Sequence, residues 1–187
     1  MTDYRRLLDR YEDWWKGDNQ GLPLMHVVAR RDDAPPAIGR PATPEAYYTD
    51  IEYLIRRFET HLARCEYLAD AFPAFNADLG PGSLALYLGT EPEFAWDTVW
   101  YKPSIDDLEA HPPLTYDDKN LWWRRHLDMM RAARERAAGR FRVCIPDLIE
   151  NIDILAAMRG TQDTLYDMMD EPELVMERLN QIREVYF

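Results

Sequence analysis

Short apolar runs rich in β-prone residues alternate along this chain with longer stretches whose apolar residues recur every three to four positions. That alternation restricts the fold more than any other feature of the sequence, because strands separated by helices pair most readily as parallel neighbours joined by right-handed crossovers. The first run, LPLMHVVA, contains adjacent valines and reads as a strand buried on both faces. A second lies in YLADAFPAFNADLG, ending near Phe75 to Asp78 before Gly80, Pro81 and Gly82 stop it, and a third is FRVCIP. Three neighbouring parallel strands are therefore expected, near Leu24 to Ala29, Ala71 to Asn76 and Phe141 to Ile145.

The helical stretches are equally legible. Tyr4, Leu7, Leu8, Tyr11, Trp14 and Trp15 predict a helix from Asp3 to Lys16. Thr43 can cap a helix whose first turn holds Pro44, and Tyr47, Ile51, Leu54, Phe58 and Leu62 carry its stripe over about 20 residues. Asp117 to Ala138 repeats the pattern through Trp123, Leu127, Met130, Ala133 and Ala137, with Gly139 placed to end it. After the third strand come NIDILAAMRG, TQDTLYDMM behind Thr161, and a last helix from Pro172 with Val175, Leu179, Ile182 and Tyr186 on one face. Residues 83–102 read as an irregular insert, a short helix followed by extended chain around Phe94 to Trp100.

Three βα units are visible where a closed barrel needs eight and typically about 250 residues. The fold expected is α/β, the N-terminal part of a (β/α)8 barrel, with residues 1–187 forming one partial barrel domain cut off within or just after the last helix. The alternative is a complete small α/β domain that ends in a docked helix. A half barrel would leave Val175, Leu179, Ile182 and Tyr186 exposed together with an open strand edge, and pairing two copies into a homodimer would cover both.

Of the 187 residues, 47% are apolar and 30% charged, the balance of a chain that buries a core. Asp and Glu number 34 against 22 Lys and Arg, a formal charge of -12 that repels phosphate backbones and anionic lipid, so nucleic-acid and membrane partners are disfavoured. Cys65 and Cys144 form no closely spaced metal pattern and read as buried small hydrophobes. MTDYRRLLDR lacks the apolar centre of a signal peptide, and no run approaches the roughly 20 apolar residues of a membrane helix. The cytoplasm is the expected location.

FNADLGPGSLALYLGTEPEF, IENIDILAAMRG and DMMDEPELVMERLNQI, in that order, resemble the first half of proteins of the uroporphyrinogen decarboxylase superfamily, and RYEDWWKGDNQGLPLM resembles the opening of some members. The resemblance implies a (β/α)8 barrel with its site at the strands' C-terminal ends. It implies a lyase of decarboxylase type acting on a carboxylated small molecule without metal or organic cofactor. A methyltransferase of the same superfamily, drawing zinc or a corrinoid from residues beyond this chain, is the alternative. Asp78 matches the catalytic Asp of the decarboxylase, with Arg30 and Arg31 near the position of its substrate-binding arginines. Two departures speak against true uroporphyrinogen decarboxylation: HVVARRDDAPP lacks the Gln-Ala-Gly core, and the family's tyrosine falls near Ala156 and Ala157.

Physical chemistry supplies its own candidates and its own plainer readings. A carboxylate at a strand's C-terminal end, as Asp78 would be, can hold a cationic intermediate, yet Asp before Leu-Gly-Pro-Gly is also a natural turn residue. His26 and Asn76 sit on predicted strands, where a hydrogen-bonded core His is the commoner outcome. Asn151 and Asp153, with Asp147 and Glu150, follow the third strand, where substrate groups and helix caps both occur. Trp100, with Trp96 and Asp97, could stack on a flat substrate or pack the insert. His61, His111 and His126 read as surface or helix-flank residues. A carbohydrate-active barrel pairing Asp78 with Asp153 or Glu150 is a third reading. No phosphate loop or serine-hydrolase motif is present.

Overall fold

Local signals fix most helix ends in the computed structural model, which describes residues 4–149 and 151–187. The first helix, α1, spans Tyr4–Lys16. Thr43 caps α2 (Pro44–Thr49) by accepting from the Ala46 N–H at 3.2 Å, and Pro44 opens its first turn. The stripe expected to run on unbroken is interrupted at Asp50, whose extended backbone ends α2 while its carboxylate caps α3 (Ile51–Arg64) through the Tyr53 N–H at 3.0 Å.

The strands depart most from expectation. β1 (His26–Arg30) pairs antiparallel with β2 (Cys65–Ala69), in a register that sets His26 opposite Ala69 and Arg30 opposite Cys65. β3 (Ala74–Phe75) pairs parallel with β6 (Arg142–Val143), and β4 (Glu91–Phe94) forms an antiparallel hairpin with β5 (Val99–Lys102). Among the described residues there are eight helices and three separate two-stranded sheets, none closed. The (β/α)8 half barrel is therefore overturned. Its reason is physical: α3 runs directly into β2 when Cys65 turns extended, so β1 takes that antiparallel neighbour instead of β3. Val27 and Val28, read as buried on both faces, are 42% and 41% exposed. The extended stretch expected from Phe94 to Trp100 contains the hairpin's turn, where the Ala95 N–H donates to the Thr98 carbonyl.

The core lies between α3, α4 (Ser83–Tyr87), α5 (Leu121–Ala137), α6 (Ile152–Arg159) and α8 (Pro172–Tyr186). Phe58, Phe75 and Phe141 meet there, Phe58 edge-on to the other two at 5.4 and 4.9 Å. Ile154, Leu155, Met158 and Ile182 are fully enclosed. The stripe on α8 that a half barrel would have exposed is instead packed: Val175 and Ile182 are buried, and Leu179 and Tyr186 lie against the core. Arg178 is buried beside them, its guanidinium donating to the carbonyls of Leu108, His111 and Pro112 and to Gln181 Oε1. Those bonds fasten the segment before α5 to α8. Between α6 and α8 stands α7 (Thr161–Asp170).

Candidate functional site

Past β3 the chain keeps its two-residue alternation. Phe75, Ala77 and Leu79 point inward and are buried, so Asn76 and Asp78 emerge on the open side. Asp78 Oδ1 accepts from the Gly80 N–H at 2.8 Å, which turns the chain toward α4. The neighbouring parallel strand ends the same way: beyond β6, Asp147 Oδ1 accepts from the Ile149 N–H at 3.1 Å. The Ser83 N–H donates to the Asp147 carbonyl at 3.0 Å and ties the two loops together. The C-terminal edge of the parallel β3–β6 pair is thus bounded by two exposed carboxylates on matched turns.

Tyr101, on β5, closes this edge. Its hydroxyl donates to the Leu79 carbonyl at 3.0 Å. Burial first, then the charges of Asp78 and Asp147, push its phenol far above the usual tyrosine range, so it is a neutral donor throughout physiological pH. Gly80 lets the loop pass this close: at φ +89° a Cβ would stand 2.8 Å from Val99 Cβ and 3.0 Å from the Tyr101 hydroxyl.

A cleft of 670 Å³ opens beside Tyr101, between the β4–β5 hairpin and α6. Trp100, Thr98 and Pro103 form one wall; Pro81 and Gly82 contribute the floor loop; Ile149, Asp153, Ala156 and Ala157 form the other wall. The small alanine side chains leave room along that wall. Trp100 is 64% exposed, an indole face offered to solvent at the rim. Among the described lining residues Asp153 is the acidic side chain, and no Lys, Arg or His occurs.

Of the residues singled out from sequence, Trp100 and Asp153 line this cleft; Asp78 does not, and only its charge reaches the cleft, at Tyr101. Asn151 is exposed immediately before α6, at φ 58°, with no side-chain capping bond. Asn76 is exposed two residues before Asp78. His26 and Arg30 are on the β1–β2 ribbon, in a different sheet from β3, and Arg31 follows β1 directly. Arg31 there donates to the Cys65 carbonyl at 3.2 Å and lies 3.8 Å from Glu66. Glu150 lies outside the described residues.

Two sequence readings of single residues are corrected. Cys65 and Cys144 are only half-buried, and Cys65 Sγ lies 3.7 Å from His61 Nδ1. His126 is fully buried: its Nδ1 and the Tyr87 hydroxyl share a hydrogen bond at 2.5 Å, while Nε2 makes no hydrogen bond of ordinary geometry. Burial brings its imidazole down to about 4, the nearby Ala77 carbonyl offsetting part of the effect. Helical phase would have found it, since Trp122, His126, Met129, Ala133 and Ala137 share the buried stripe of α5; the stripe read from sequence has Ala133 and Ala137 right but falls one residue late at Trp123, Leu127 and Met130.

No family model matches the chain, and no curated protein or solved structure is significantly similar to it. The decarboxylase, the methyltransferase with its zinc or corrinoid, and the carbohydrate-active enzyme were all readings of a barrel, and they fall with it. Among the described residues no group of three or more His, Cys, Asp or Glu could hold a metal ion, and no helix is long and apolar enough to cross a membrane.

Proposed function

We propose that this chain binds a small organic cation with a flat apolar body in the cleft between the β4–β5 hairpin and α6. The observation that carries the reading is the described lining: an exposed indole, an apolar wall, the Asp153 carboxylate and, among the described residues, no cationic side chain. An ammonium group over Trp100 gains cation–π attraction, and carboxylates at Asp153, Asp78 and Asp147 favour the same sign of charge. Tyr101 contributes a neutral hydroxyl beside them. Kinship with the uroporphyrinogen decarboxylase superfamily, resting on the order of the motifs, enters this proposal only for the position of Asp78; none of that family's chemistry comes with it.

Titration of the chain with benzyltrimethylammonium, followed by tryptophan fluorescence and calorimetry, tests the reading. Trp100→Ala should weaken binding by about 2- to 30-fold, the range a cation–π contact supports. Asp153→Asn should weaken it as well, and a neutral benzyl analogue should bind less tightly than the cation. Equal affinity for cation and neutral analogue, or indifference to both substitutions, would rule out this cleft as a cation site.

A further inference from the structure

α7 buries little of itself. Thr164 is enclosed, with its hydroxyl bonded to the Gly160 carbonyl, and Asp167 on the same side is held by Arg159 at 2.8 Å. The opposite face carries Gln162, Leu165, Tyr166 and Met169 at successive helical positions, where Leu165, Tyr166 and Met169 are 57%, 53% and 81% exposed. A surface helix ordinarily turns such residues inward. Glu171 alone separates α7 from α8, whose first turns add the exposed Met176. Flexible, polarisable methionines suit a surface that must fit a partner helix.

Charge decides which partner. Residues 161–177 contain Asp163, Asp167, Asp170, Glu171, Glu173 and Glu177 and no Lys, Arg or His. Arg159 compensates Asp167, which leaves five exposed carboxylates of one sign around the apolar stripe. The exposed apolar residues of α1 and the β1–β2 ribbon are, by contrast, interleaved with charges of both signs and select no partner. Anionic lipid, nucleic acid and a second copy of this same acidic face are all repelled.

We infer that the exposed face of α7, continued onto the first turns of α8, docks a basic amphipathic helix of another protein. The partner helix would lay an apolar stripe on Leu165, Tyr166 and Met169 and set Lys or Arg against the acidic rim. The full chain can be titrated with a synthetic Lys/Leu amphipathic peptide, and with a Lys/Ser peptide of equal charge as control, reading fluorescence anisotropy. The Lys/Leu peptide should bind, and should bind about tenfold more weakly to the Leu165→Ser/Met169→Ser variant and to Glu173→Lys/Glu177→Lys. Glu93→Lys/Glu135→Lys, an equal charge change on β4 and α5, should leave binding unchanged; circular dichroism confirms that each variant folds. Three results would overturn the inference. One is equal binding of the Lys/Ser peptide. Another is equal weakening by the β4 and α5 reversals, which would mark general attraction to an acidic chain. The last is sedimentation showing self-association that Leu165→Ser/Met169→Ser abolishes, which would assign the face to a second copy.

Discussion

Gly80 and Gly17 share a left-handed backbone but not a fate. At Gly17, φ +80°, nothing lies within 4 Å of an added Cβ; at Gly80 the same atom meets Val99 and the Tyr101 hydroxyl. Gly17→Ala should cost about 1–2 kcal/mol for conformation alone. Gly80→Ala adds overpacking of about 1–3 kcal/mol and should lose correspondingly more in urea melts. His126 governs pH. Its folded pKa of about 4 lies below the ordinary 6.5, so the unfolded chain takes up a proton first as pH falls. Its contribution is whole above pH 6.5, declines from there toward pH 4, and amounts to on the order of 3 kcal/mol. Asp70 and Glu59, held low by arginines, lose their contributions in a more acidic window. His126→Gln, which still offers Tyr87 a hydrogen-bond partner, should flatten the pH 6.5 to 4 slope of unfolding free energy; an unchanged slope would assign it elsewhere. Asp78 was legible because an acidic residue before Leu-Gly-Pro-Gly marks a strand's end whatever the fold. His126 was not, because a one-residue error in helical phase moves a side chain from core to surface.

Helices were read more faithfully than sheets, and Asp50 shows what limits even that. Its neighbours Tyr47, Ile51 and Leu54 keep helical spacing through the break, so periodicity alone could not locate it. Asp50→Ala should remove the α3 cap and cost about 1 kcal/mol, measurable as a lower urea midpoint with an unchanged slope. If Asp50→Ala instead stabilises the chain, α2 and α3 gain more by fusing than the cap contributes. Strand pairing was illegible for a different reason. A run such as LPLMHVVA carries β-propensity but nothing that names its neighbour, and β2 was hidden because CEYLA follows α3 without a turn signal. The parallel β3–β6 pair survives from the expectation and leads into the two carboxylates, Asp78 and Asp147, whose charges act on Tyr101.

As a consequence of that pairing, α1 and the β1–β2 ribbon are packed less firmly than the rest of the chain. No residue of α1, β1 or β2 belongs to the main apolar cluster, and of these elements only α1 buries an apolar side chain, Leu7. Polar contacts hold them instead. Asp70 is buried at the end of the ribbon, accepts from Arg10 and from the Met25 N–H at 3.0 Å, and its carbonyl accepts from Tyr11; Tyr4 reaches the Arg140 carbonyl at 3.0 Å, with Arg142 over its ring. Such bonds net only about 0.5–1.5 kcal/mol each, or up to about 3 kcal/mol where one partner is charged, far less than an enclosed apolar layer. The amides of β1 and β2 should therefore exchange by sub-global opening, at lower free energy than those of α5, α6 and α8. Asp70→Asn should lower the ribbon's protection further while leaving α5 and α6 unchanged. Acid should do the same to the native chain, since Arg10 holds the Asp70 carboxyl below its ordinary value and the attachment weakens as pH falls through that depressed pKa. Native-state hydrogen exchange followed by mass spectrometry reads all three effects, and equal protection of the ribbon and α5 would mean that the chain unfolds as one unit.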